Sequence, residues 1–191
     1  MTNEAHPLGF FLPKNTKILM LGSFPPQQKR WSMNFYYPNF QNDMWRIMGL
    51  IFYNDKNHFI KENQKSFDRD RAASFCQLKG IGLGDTAMNV IRLNDNASDK
   101  FLQITKAFSP EKVLGQIPEC QALALTGAKA METLLTILNF PEPKIGNFSN
   151  VNINNRELKI YRMPSTSRAY PKSIEEKATL YRKMFKDLEM V

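Results

Sequence analysis

Four short apolar runs, each followed at once by a glycine, proline or small hydroxyl residue, constrain this chain most. They are Lys17–Gly22 (KILMLG), Gly80–Asp85 (GIGLGD), Ala122–Thr126 (ALALT) and Leu158–Met163 (LKIYRM). Their apolar character is nearly continuous rather than alternating. That is the pattern of strands buried on both faces of a parallel sheet. Helix-forming stretches fill the gaps. Asn42–Ile51 opens on a plausible asparagine cap, and a polar stretch over Ser66–Leu78 precedes the second strand. Ser109-Pro110-Glu111 combines a capping serine, a proline at the first helical position and an acid in the first turn. Gly127–Leu138 and the charged amphipathic Ser173–Met190 complete the set. Strands alternating with helices predict an α/β three-layer sandwich, with a central four-stranded, mainly parallel sheet flanked by helices. The asparagine-rich Asn147–Asn155 reads as a loop or hairpin turn. No repeat or linker interrupts the chain, so residues 1–191 are expected to form one domain.

Composition narrows the partners. Twenty-six Lys and Arg against 18 Asp and Glu give a formal charge of +8. A basic surplus favours an anionic partner, nucleic acid first, although many basic proteins bind no polyanion. Cys76 and Cys120 lie far apart with no metal-ligand spacing around them, so no metal site is expected, and both read as buried thiols of a reducing compartment. No apolar run approaches the roughly 20 residues of a spanning helix. The opening MTNEAHPLGFFLP lacks the layout of a signal peptide, and a cytoplasmic protein is expected.

Open α/β sheets place functional loops at the carboxyl ends of their strands. That rule selects Gly22–Pro26, Gly84–Thr86, Thr126-Gly127 and Pro164–Tyr170. Their residues suit tight turns, close backbone approach and exposed N–H donors. GIGLGD lacks the full Gly-x-Gly-x-x-Gly of a dinucleotide loop, which discounts that reading. The only histidines, His6 and His58, lie outside these corners, so a histidine-centred mechanism is not expected.

Taken in order, GSFPP, YYPNFQNDMW, GIGLGDT and MPSTSRAY resemble the motifs of the uracil-DNA glycosylase superfamily, and most nearly its hypoxanthine-DNA glycosylase branch. The resemblance runs from about Lys17 to the end of the chain. It implies a monomeric, monofunctional enzyme without cofactor. Its partner is DNA containing a damaged base, uracil or hypoxanthine, which it flips out and releases by hydrolysing the N-glycosidic bond. On this resemblance Gly22 and Ser23 contact the base through their backbone. Phe24 stands where many relatives carry a water-handling Asp or Asn, and walls the base pocket instead. Asn42 takes over the polar duty, although an asparagine here is equally suited to cap the following helix. Tyr37 stacks on the flipped base, and the neighbouring Tyr36 is suited to the same role. Asp85 accepts an N–H of the base, uracil N3–H or hypoxanthine N1–H, or else caps the next helix. Ser165, Thr166 and Ser167 contact phosphate, and Arg168 or Tyr170 wedges into the space left by the base. Relatives often carry a histidine before the Pro-Ser pair, where this chain has Met163. Two other classes stay open: a non-catalytic nucleic-acid-binding module on the same fold, and a flavodoxin-like enzyme acting on a small molecule.

Overall fold

The computed structural model describes residues 2–93 and 101–191. In chain order the strands are β1 (Asn3–Ala5), β2 (Ile18–Gly22), β3 (Ile81–Asp85), β4 (Ala87–Arg92), β5 (Leu102–Ala107), β6 (Ala122–Thr126), β7 (Phe148–Ile153) and β8 (Arg156–Met163). The helices are α1 (Met44–Tyr53), α2 (Arg69–Lys79), α3 (Pro110–Leu114), α4 (Ala128–Leu135) and α5 (Ile174–Asp187).

The main sheet has the order β3-β2-β6-β8-β7. Its first four members are the apolar runs, all parallel. Side chains alternate between two cores. Ile18, Met20, Ala122, Ala124 and Tyr161 face one core, with Trp45 and Ile47 of α1, Phe75 of α2, and Tyr181 and Phe185 of α5. Leu19, Leu21, Leu123, Leu125 and Ile160 face the other, with α3 and α4. Helices therefore cover both faces. The helix starts follow from local chemistry. Asp68 accepts from the N–H groups of Asp70 and Arg71 before α2, and Ser109 with Pro110 opens α3. Ser173 and Glu176 form a reciprocal capping box at α5.

Two expectations need correction. The central sheet has five strands rather than four, because Phe148–Ile153 forms β7, antiparallel to β8. Only the tip of the asparagine-rich stretch is a turn: Asn154 and Asn155 both adopt positive φ, as a two-residue hairpin requires. Edge position explains the polar composition of FSNVNI, since alternate residues face solvent. A second, three-stranded antiparallel sheet, β1-β4-β5, was not anticipated at all. Only Thr86 separates β3 from β4, so one extended stretch leaves the main sheet and enters the small one. No helix among the described residues is long and apolar enough to cross a membrane.

Candidate functional site at the carboxyl ends of the strands

Parallel register brings the four strand ends into line. Gly22 pairs with Asp85, Leu21 with Leu125 beside Thr126, and Thr126 with Met163. The corners selected from sequence thus form one rim. Thr86 and Ala87 donate their N–H groups to the carbonyls of Gly22 and Ser23, at 2.9 and 3.0 Å. These bonds fix the turn after β2 against the β3–β4 junction.

Asp85 ends the edge strand β3 and stands at one end of this rim, almost buried beside Gly22. A Cβ on Gly22 would overlap its Oδ1, so the absence of a side chain at Gly22 is what lets the carboxylate lie over the end of β2. His6 Nε2 donates to Asp85 Oδ2 at 2.7 Å, and the two side chains are only 4% and 8% exposed. The sequence reading left His6 outside every motif, yet the small sheet carries it into the centre of the site. Just after β1, the His6 N–H donates to the Met88 carbonyl at 2.8 Å. Asp85 is placed to act as a hydrogen-bond acceptor, not as a helix cap, because β4 follows it.

Aromatic rings surround the pair. Tyr36 stacks on His6 with ring centres 6.1 Å apart, and its hydroxyl donates to the Gly9 carbonyl at 2.8 Å. That tether commits Tyr36 to holding the N-terminal arm. Tyr37 is only partly buried. Its hydroxyl donates to Thr126 Oγ1 at 3.0 Å, and Thr126 in turn donates to the Leu21 carbonyl. Tyr37 reaches this position with φ of 51°, a conformation costly for an aromatic residue. Burial first, with the Asp85 charge adding to it, pushes the pKa of both phenols up, against a smaller lowering of Tyr37 by its Thr126 hydrogen bond, and both stay protonated.

Phe24 is 6% exposed and packs with Ala87 and Val90 of β4 and Leu102 of β5, on the small sheet. Its ring meets His6 edge-on, with centres 5.2 Å apart. The corner is tied down further by Arg92, which pairs with Glu4 at 2.8 Å and donates to the Pro25 carbonyl at 2.6 Å. A short exposed 3₁₀ turn follows at Gln28–Arg30 and adds Lys29 and Arg30 to the outer rim.

The loops carrying Asn42 and Ser165–Tyr170 are joined to each other. Asn42 bridges to Ser167, and the Asp43 N–H donates to the Thr166 carbonyl at 2.8 Å. Asn42 Oδ1 accepts from the Met44 N–H at 2.9 Å, holding the first N–H of α1 from one residue before the N-cap position, which Asp43 occupies. A buried charge cluster locks the joint. Asp43 accepts from Lys177 Nζ at 3.1 Å and from Arg168 Nε at 3.2 Å. Lys177 also donates to the Ser167 carbonyl at 2.8 Å. Arg168 reaches Gln41 Oε1 at 2.9 Å and keeps nearly half of its side chain exposed. Within the loop, Ser165 Oγ accepts from the Ser167 N–H, and Ser167 Oγ from the Ala169 N–H, both at 3.2 Å. Thr166 is buried, whereas Tyr170 is partly exposed. Gly127, at φ 115° and ψ 163°, lets β6 turn into α4 with Ser165 close against it. That backbone region is essentially restricted to glycine.

Neither Asp43 nor Lys177 was selected from sequence, and no periodicity marks them as partners. Among the described residues no group of three or more His, Cys, Asp or Glu is placed to hold a metal ion.

No family model and no curated protein matches the chain. Among solved structures, the chain is similar to a "putative Uracil DNA glycosylase" from Methanosarcina acetivorans, determined by solution NMR. The match has 23% identity, covers 95% of this chain and 96% of that one, and has a TM-score of 0.61. The two share a fold over nearly their whole lengths.

Proposed function

We propose that the chain is a monofunctional DNA glycosylase that removes a deaminated base, uracil or hypoxanthine, acting as one monomeric domain in the cytoplasm. The observation that carries this reading is the buried Asp85 carboxylate on the strand-end rim, lying against Gly22 at the end of β2. A carboxylate has about four acceptor positions and accepts an N–H of a base in the plane of its oxygens, as it accepts the His6 N–H. Uracil and hypoxanthine present a ring N–H, where cytosine and adenine present a lone pair. Tyr37 supplies an aromatic face beside it, and stacking on such a face contributes about 1–3 kcal/mol per base. The shared fold with the glycosylase-named structure supports the same reading.

In the reaction the C1′–N bond breaks, the base leaves with the electron pair, water oxygen bonds to C1′, and the proton that the water loses passes through solvent to the departing base anion. Catalysis is electrostatic and positional. The Asn42 amide orients the water or the base carbonyl. Ser165, Ser167 and the loop backbone hold phosphates, and Arg168 leaves Asp43 to fill the gap in the stack. The backbone of Gly22 and Ser23 forms the floor of the pocket, and Phe24 supports it from behind.

The test is a single-turnover incubation of excess protein with duplex and single-stranded oligonucleotides, each carrying one uracil, hypoxanthine or xanthine, followed by alkali. Alkali-labile breaks at a deaminated base, and none at cytosine or adenine, are expected. Salt-dependent binding without any break would favour the non-catalytic module, and neither binding nor breaks would remove DNA as the partner.

A further inference from the structure

We propose that His6 is a positioning residue for Asp85, and that the small sheet β1-β4-β5 exists in this fold to deliver it. The proposal rests on the glycosylase reading and adds to it a residue that sets base selectivity.

Three independent restraints converge on the imidazole. The backbone of His6 is fixed by the Met88 carbonyl at 2.8 Å. Nδ1 lies within hydrogen-bonding reach of both the Leu8 N–H, at 3.1 Å, and the Leu8 carbonyl. The ring is held between the stacked Tyr36 and the edge-on Phe24. Since a carboxylate only accepts, a proton on Nε2 satisfies the 2.7 Å contact with Asp85 Oδ2. The arm itself is anchored by Glu4 to Arg92, which also holds the Pro25 carbonyl. His6 and the corner after β2 are therefore set by one unit.

The consequence is chemical. A short carboxylate on a strand end can rotate about its side-chain bonds. The Nε2–H bond restricts that rotation and offsets part of the negative charge that a departing base anion would otherwise meet. Asp85 then faces the base as a fixed acceptor. A ring N–H of a deaminated base meets a lone pair, whereas the ring nitrogen of cytosine or adenine meets it with its own lone pair. His6 thereby acts on selectivity without touching the substrate.

The experiment compares His6→Phe, which keeps a ring but removes the donor, with His6→Gln, whose amide N–H substitutes for Nε2–H. His6→Leu replaces the phenyl variant if the larger ring unfolds the arm. Three readouts are taken: single-turnover cleavage of uracil and hypoxanthine duplexes, affinity for a tetrahydrofuran abasic-site duplex, and the binding ratio of duplexes carrying 2′-fluoro-deoxyuridine or 2′-fluoro-deoxycytidine, which resist cleavage. His6→Phe is expected to cleave roughly 10- to 100-fold more slowly, the scale of a misplaced group, and to lose most of the uracil-over-cytosine preference. Abasic-site affinity stays within about twofold, and His6→Gln restores both rate and preference to within several-fold. Equal impairment of Phe and Gln variants with unchanged melting, or a Phe variant with wild-type rate and preference, overturns the proposal alone. A wild-type protein that cleaves neither base and binds both fluorinated duplexes equally overturns the glycosylase reading and this proposal together.

Discussion

Adding one methyl group at Gly22 perturbs the site through space while leaving every hydrogen-bonding group in place. Gly22 lies outside the positive-φ region, so its backbone accepts alanine, and the reduced freedom of the unfolded chain favours the variant by up to about 1 kcal/mol. The new Cβ overlaps Asp85 Oδ1, the end of a side chain that can move. Ordinary van der Waals separation demands a retreat of about 1 Å. Because Oδ1 and Oδ2 move together, the 2.7 Å bond from His6 is stretched or broken. An off-rotamer side chain costs about 1 kcal/mol and a lost bond to a charged group about 1.5–3 kcal/mol. The net loss of stability is about 2 kcal/mol, which leaves a typical domain folded. Activity falls further. A 1 Å displacement of a positioned group costs about 100-fold in rate, equivalent to roughly 2.7 kcal/mol of barrier. Gly22→Ala is therefore expected to cleave a uracil or hypoxanthine duplex about 100-fold more slowly in single turnover, at a temperature where circular dichroism shows it folded. A wild-type rate would refute the placement of Asp85 at the reacting base. A loss matching the unfolded fraction would refute the claim that the methyl group acts on the carboxylate rather than on the fold.

Asn42→Ala removes the cap on Met44 and is expected to lower stability by about 1 kcal/mol; a 100-fold drop in cleavage rate at unchanged DNA affinity marks the amide as catalytic, and a wild-type rate restricts it to capping. Asn42→Asp retains the cap, so its melting temperature should match wild type while its rate does not. Arg168→Ala should slow cleavage most on well-paired duplex and least on single strands, where little flipping is needed; equal losses on both would assign Arg168 to anchoring its loop through Asp43. Asp43→Ala leaves Lys177, 1% exposed, without its carboxylate and should cost about 3–5 kcal/mol in urea unfolding, with a loss below about 1 kcal/mol contradicting a buried charge cluster. Burial pushes the Cys120 thiol up to about 11, so at pH 8 iodoacetamide should label native Cys120 far more slowly than the urea-unfolded chain, and prompt native labelling would contradict that burial.

What local pattern encodes was legible in the chain. The runs ending at Gly22, Asp85, Thr126 and Met163 are strands because a continuous apolar pattern of that length suits a sheet covered on both faces. Ser109-Pro110 and Ser173 start helices because a cap needs only residues within one turn. The strand-end rule then located the rim, and with it Gly22, Asp85, Thr126 and the loop from Pro164 to Tyr170, whereas Tyr37 was named by the family resemblance alone. β7 escaped because an edge strand with one solvated face has the composition of a loop.

Other features depend on which distant segments meet. β1 has only three residues, too few for any periodicity, and becomes a strand by pairing with β4. That pairing carries His6 across 79 positions of sequence to Asp85. Lys177 finds Asp43 across 134 positions, on the far side of the sheet's whole connectivity. In each case the identity of the residue says what it can do, a donor beside a carboxylate or a cation in a buried pair. The tertiary fold decides whether it does so, because desolvation and packing act on groups that are neighbours in space, and neighbours in space are chosen by the pairing of strands and the docking of helices.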